Sequence, residues 1–170
     1  MLRRYAIATA VMLGLTTPAL VPALAEDDAL VTFQVLSPHL AMELAEAAMK
    51  DCNEKGFQVA VAVVDRFGVP QALVRDRFAG PHTPETAIRK AWTAVSFRAD
   101  TSELVTATEG DSPQSGARDI TNALMLGGGV MISVGGAMIG AVGVSGAPGG
   151  AEDDDCAKAG IEAIQDQLPL

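Results

Sequence analysis

The stretch Gly140–Gly160, GAVGVSGAPGGAEDDDCAKAG, holds the junction on which the fold turns. Its first part is apolar, its middle is glycine-rich and its end is an acidic helix start. Three chemical readings compete for it. A phosphate loop requires G-x-x-x-x-G-K-[ST], and no lysine follows these glycines; the dinucleotide pattern G-x-G-x-x-G is also absent. A nucleophile elbow requires G-x-S-x-G, whereas Gly143-Val144-Ser145-Gly146 is followed by Ala147, and a triad would have to use His39 or His82 as its base. The run Asp153–Asp155 would bind a hard cation only if its carboxylates converged, and consecutive helical residues radiate instead. The expectation is therefore a solvated run that caps the helix and complements its dipole. What remains is a strand-to-helix corner of small residues, suited to close approach of another backbone or a flat ligand.

Outward from this corner the pattern alternates between hairpins and helices. Upstream, GGGVMISVGGAMIGAVGVSG gives two apolar runs around Gly135-Gly136, a two-residue hairpin turn. Downstream, Ala157, Ile161, Ile164 and Leu168 recur at helical spacing. Near the other end Ser37-Pro38 reads as N-cap and first helical residue, with Ala41, Leu44, Ala48 and Cys52 on one stripe and Gly56 as the stop. FQVAVAVVD, apolar on both faces, is a central strand that returns through RFGVP as QALVRD. Thr83-Pro84 repeats the cap-then-proline signal and opens a helix with Ala87, Ala91, Trp92 and Val95 facing inward. From Arg98 to Asn122 the pattern is weak, a short helical piece and a loop. This order predicts an α/β (α+β) layer fold, a single antiparallel sheet of about five strands flanked by helices.

Residues 1–25 read as a signal peptide. Arg3 and Arg4 precede an apolar run, Thr16, Thr17, Pro18 and Pro22 leave it short for a membrane span, and Ala23-x-Ala25 forms a cleavage site. The mature domain is then 26–170, periplasmic or secreted, with no membrane span after cleavage. It keeps 10 of the 12 basic residues against 21 acidic ones, a formal charge of −11. Such a surface repels phosphate backbones, which excludes nucleic acid as a partner. Two histidines and two cysteines, with no C-x-x-C, leave no ligand set for a zinc site. In an oxidising compartment the isolated pair Cys52 and Cys156 is a disulfide candidate, because antiparallel packing of the first and last helices would bring them together; buried free thiols are the other reading.

Four blocks in order give the chain a resemblance to the GlcG/HbpS family, the haem-binding or haem-degrading HbpS-like proteins. They are LAMELAEAAMKDC, VAVAVVDRFG with ALVRD, AGPHTPETAIRKAWTAVSFR, and the corner itself. They span roughly Leu36 to Ile164, and AGPHT with the export signal is similar to the extracellular HbpS-type branch. The chain departs from the family in having Met131 where a proline often follows the three glycines. The resemblance implies a profilin-like or HbpS-like layer fold, homo-oligomers and haem binding, with haem sequestration, turnover or redox sensing for a sensor-kinase partner. A related PduO module binds haem through a histidine near its first helix.

Haem requires an apolar slot, an axial donor and cations for its propionates. His39 at the start of the first helix and His82 before the second are the candidate donors; Arg75 and Arg77 are the candidate cations. Arg89 and Lys90 would also serve, though an ordinary charged helix face accounts for them. No catalytic constellation is recognisable. A module of the same fold that binds a different small ligand, or assembles with a protein partner, is the alternative function.

Overall fold

The computed structural model describes residues 30–169, so the expected signal peptide, 1–25, lies outside the described residues. Leu30–Thr32 carry no regular structure, and Phe33 onward forms one compact unit. Helix α1 spans Pro38–Glu54, and the Ser37 hydroxyl accepts the Leu40 N–H at 3.2 Å, the expected cap. Strand β1 (Ala60–Asp65) and strand β2 (Pro70–Arg75) form the first hairpin. Asp65 closes its turn by accepting the N–H groups of Phe67 and Val69 at 2.8 and 3.0 Å. Helix α2 (Thr83–Phe97) and the short helix α3 (Thr101–Ala107) follow, then the second hairpin, β3 (Gly129–Val134) and β4 (Ala137–Ser145). Helix α4 runs Gly150–Ala163.

The sheet has four strands rather than about five, all antiparallel in the order β2-β1-β4-β3. The two hairpins supply every paired strand among the described residues. Gly135 and Gly136 make the expected turn, both with positive φ (56° and 80°), which glycine adopts without steric cost.

Side-chain size sorts the two faces of the sheet. Val61, Val63, Val142 and Val144 point to α1 and α4, where they join Leu44, Ala48 and Ala157 in the main core. Most alternate positions are small, Ala60, Ala62, Ala141 and Gly143, with Val64 the exception. Against them α2 lays Ala87, Ala91 and Ala94. This lets the helix rest almost directly on the strands. A Cβ added at Gly143 would stand 2.0 Å from the Ala87 carbonyl oxygen and 2.8 Å from the Ala91 nitrogen. Gly143→Ala must push α2 off the sheet, and a loss of about 1–3 kcal/mol is expected in urea unfolding, the usual range for overpacking. An unchanged midpoint would contradict this packing.

Two expectations on α2 need correction. Thr83 is the first helical residue, not the cap, and its hydroxyl donates back to the Gly80 carbonyl at 2.8 Å. Trp92 is half-buried rather than in the core; it covers the β1–β2 turn, where a Cβ on Gly68 would meet its ring at 2.6 Å.

On the opposite face α1 and α4 pack through small residues, a Cβ at Gly160 falling 2.8 Å from Ala48. The Sγ atoms of Cys52 and Cys156 are joined there, with Cα atoms 5.5 Å apart. The bridge ties the late end of α1 to the first turn of α4. No helix among the described residues is long and apolar enough to cross a membrane.

Candidate functional site

The strand-to-helix corner at Ser145–Gly150 forms one wall of a cleft of about 450 Å³. The start of α2 (His82, Thr83, Thr86, Arg89, Lys90) forms the second wall, and Leu124 with Leu126 closes the third side. Its volume falls within the ~300–1,000 Å³ usual for small-molecule sites.

Beneath the cleft lies an ion pair that overturns the solvated reading of the acidic run. Lys90 is 1% exposed and Asp153 is 4% exposed, so neither belongs to a charged surface. The Lys90 Nζ donates to Asp153 Oδ2 at 2.6 Å and to the Val144 carbonyl at 2.9 Å. Asp153 Oδ1 accepts the Ala147 N–H at 3.0 Å. Asp154, also buried, accepts the Gly128 N–H at 2.5 Å; only Asp155 of the three is exposed. The carboxylates are therefore brackets. They fasten the corner and the start of β3 to α4, while Lys90 fastens α2 to the end of β4.

Glycine makes this possible. At Gly128 (φ +112°) an added Cβ would lie within 2.6–2.8 Å of the Val144 oxygen, Asp153 Cβ and Lys90 Nζ. Burial pushes the Asp153 carboxyl up from its ordinary 3.8, opposed by the neighbouring Lys90 ammonium and the Ala147 N–H.

The candidate haem residues fall in different places. His82 stands exposed on the cleft wall, and its ring makes no hydrogen bond within the described residues. His39 is 84% exposed on α1, its Nε2 3.3 Å from Glu43 Oε1, and does not line the cleft. A separate apolar groove of about 340 Å³ is walled by Phe33, Leu36, Leu40, Ile139 and Leu168, again without His39. Arg75 and Arg77 also lie outside the cleft lining. Arg75 donates from Nη2 to the Ala79 carbonyl, which steadies the loop leading to His82, and Arg77 lies over Phe78 at 5.9 Å. The cation on the cleft wall is Arg89, half-buried and donating to the carbonyls of Asn122 and Ala123 at 3.3 and 2.8 Å.

The residues present thus fit a haem-type ligand. They offer one imidazole without a protein partner, apolar walls in Leu124, Leu126 and Pro148, and a guanidinium at the edge. Among the described residues no three His, Cys, Asp or Glu side chains converge to hold a bare metal ion.

Comparison with known proteins agrees with this architecture. The family model described as "Haem degrading protein HbpS-like" matches residues 36–162. Among solved structures, HbpS of Streptomyces reticuli, as a double mutant, is 37% identical with a TM-score of 0.76, covering 86% of this chain and 99% of that one. PduOC, solved as a haem complex, is 30% identical with a TM-score of 0.73, covering 77% and 96%. Klebsiella pneumoniae protein ORFY is 26% identical with a TM-score of 0.77, covering 81% and 95%. No functionally curated protein matches the chain. With most of its length matched by the family model and two relatives at 30% identity or more, the chain belongs to the HbpS-like family.

Proposed function

We propose that this is an exported haem-binding protein that holds haem in the cleft between α2 and the Ser145–Gly150 corner. The observation that carries the proposal is His82, a ring without a protein partner on the wall of a cleft that also holds apolar side chains and a cation. His82 would hold the haem iron through a ring nitrogen, Leu124, Leu126 and Pro148 would exclude water from one side, and Arg89 would meet a carboxylate of the ring. Bound haem supplies a redox-active iron whose exchange or oxidation is the basis for sequestration, turnover or sensing. The relatives support this: one is solved with haem and the family description is haem degradation. Export is supported by the Arg3-Arg4 start and the Ala23-x-Ala25 site. Homo-oligomerisation, with a sensor kinase as a further partner, belongs to the same proposal through the family resemblance.

Titration of the mature protein with hemin is expected to give a saturable Soret band. His82→Ala should abolish or strongly shift that band, and His39→Ala should leave it unchanged. Loss in His39→Ala alone would overturn the His82 assignment. With no band in any form, the chain would be a module of the same fold for a different ligand.

A further inference from the structure

The floor of the cleft carries a second recognition element that a haem ring with one axial histidine does not use. Ser145 ends β4 with its side chain on the α2 side of the sheet. It is only 5% exposed, lines the cleft, and its hydroxyl makes no hydrogen bond to another described residue, so it opens to the cleft. A hydroxyl that faces a cleft with no protein partner is free to bond a ligand or water there.

The start of α4 and Lys90 add further donors beside Ser145. Helix α4 starts on Gly149, which has no side chain to close the first turn, and intrahelical bonding begins with the Asp153 N–H on the Gly149 carbonyl. The N–H groups of Gly150, Ala151 and Glu152 therefore have no helical acceptor, and Gly150 lies in the cleft wall. Lys90 commits two of its three N–H bonds to Val144 and Asp153 and lines the same floor. The lysine that no residue after the glycines provides arrives from α2 instead.

Charge points the same way. On a chain of formal charge −9 the cleft lining sets two cations, Arg89 and Lys90, against one carboxylate, Asp153, with the Glu152 carboxylate beside Gly149 at its edge. Asp154 is turned to the Gly128 N–H.

We infer that the cleft floor is a carboxylate-binding subsite, in which Ser145 Oγ, the first-turn amides of α4 and Lys90 Nζ receive a carboxylate of a small organic acid or of a larger ligand's side arm. Gly146 and Gly149–Gly150 bare the backbone around it, so that the acid can approach the amides. The subsite stands on the cleft and not on haem, so it can fail or hold independently of the haem proposal.

Backbone amide NMR of the mature protein tests it, with acetate, pyruvate and succinate as probes and acetamide as the neutral control. The acids are expected to shift the Ser145–Glu152 amides saturably and acetamide is not. Ser145→Ala should weaken acid binding about tenfold, the loss of one charge-assisted hydrogen bond. Hemin and its dimethyl ester separate the sources of the carboxylate. Shifts of these amides with free acids identify a small-acid site. Shifts with hemin, but not with the acids or the diester, identify a propionate. If neither the acids nor hemin move these amides, or acetamide moves them equally, the inference is overturned. A Soret band with the diester that depends on His82, without any acid effect, would overturn the subsite and leave haem binding intact.

Discussion

Replacing Lys90 by alanine is expected to cost about 3–5 kcal/mol of stability at neutral pH, the usual penalty for leaving one member of a buried ion pair alone. Lys90 and Asp153 are both under 5% exposed and 2.6 Å apart, so losing the ammonium leaves a poorly solvated carboxylate. The loss has a pH signature. Burial already raises the Asp153 carboxyl above 3.8, and removing the cation raises it further. A carboxyl whose folded midpoint is raised contributes stability that is fully present below the unfolded value and is lost as pH rises through the folded midpoint. The deficit of Lys90→Ala relative to wild type should therefore shrink in acid and widen toward neutrality. Lys90→Met combined with Asp153→Asn removes both charges and keeps an acceptor for the Ala147 N–H; it should recover most of the loss. Urea unfolding of the three proteins across the pH range decides it. A pH-independent deficit, or none, would contradict the bracket role of the pair.

Reduction of the Cys52–Cys156 bridge is expected to cost about 2–4 kcal/mol, since the cross-link closes a large loop in the unfolded chain. The two cysteines are 104 residues apart and join the two helices that cover one face of the sheet. The effect should appear as a lower urea midpoint with reductant and as the same shift in Cys52→Ser without it. Denatured, unreduced protein should show no reactive thiol; two per chain would defeat the bridge and with it one reason to place the protein in an oxidising compartment.

The fold was largely legible because its punctuation is local. Ser37-Pro38, Gly56, the Gly135-Gly136 turn and the valine runs each fix an element through short-range sterics or capping. The alternation of valine with alanine and glycine across β1 and β4 also encodes which face takes two helices and which takes one tightly seated helix. The site was less legible, because its key contacts join residues far apart in sequence. Lys90 and Asp153 are separated by 63 positions, and each taken alone resembles an ordinary charged helix residue. A signal was present all the same. Lys90 lies three residues after Ala87 and four before Ala94, on the small inward stripe of α2, and Asp153 lies four before Ala157 on the buried face of α4. The helix dipole alone makes the acidic run look like a cap, whereas that spacing marks Asp153 as buried. His39 and His82 could not be ranked from sequence because both precede or open a helix; only tertiary packing puts one on a cleft wall and leaves the other in solvent.

The most direct test of haem in the α2–corner cleft is anomalous diffraction at the iron edge from crystals of the mature protein grown with hemin. The expected result is a single iron peak within coordination distance of a His82 ring nitrogen, between that residue and the Leu124–Leu126 wall. An ordered iron peak beside His39, or one that stays in place in His82→Ala crystals, would contradict the assignment.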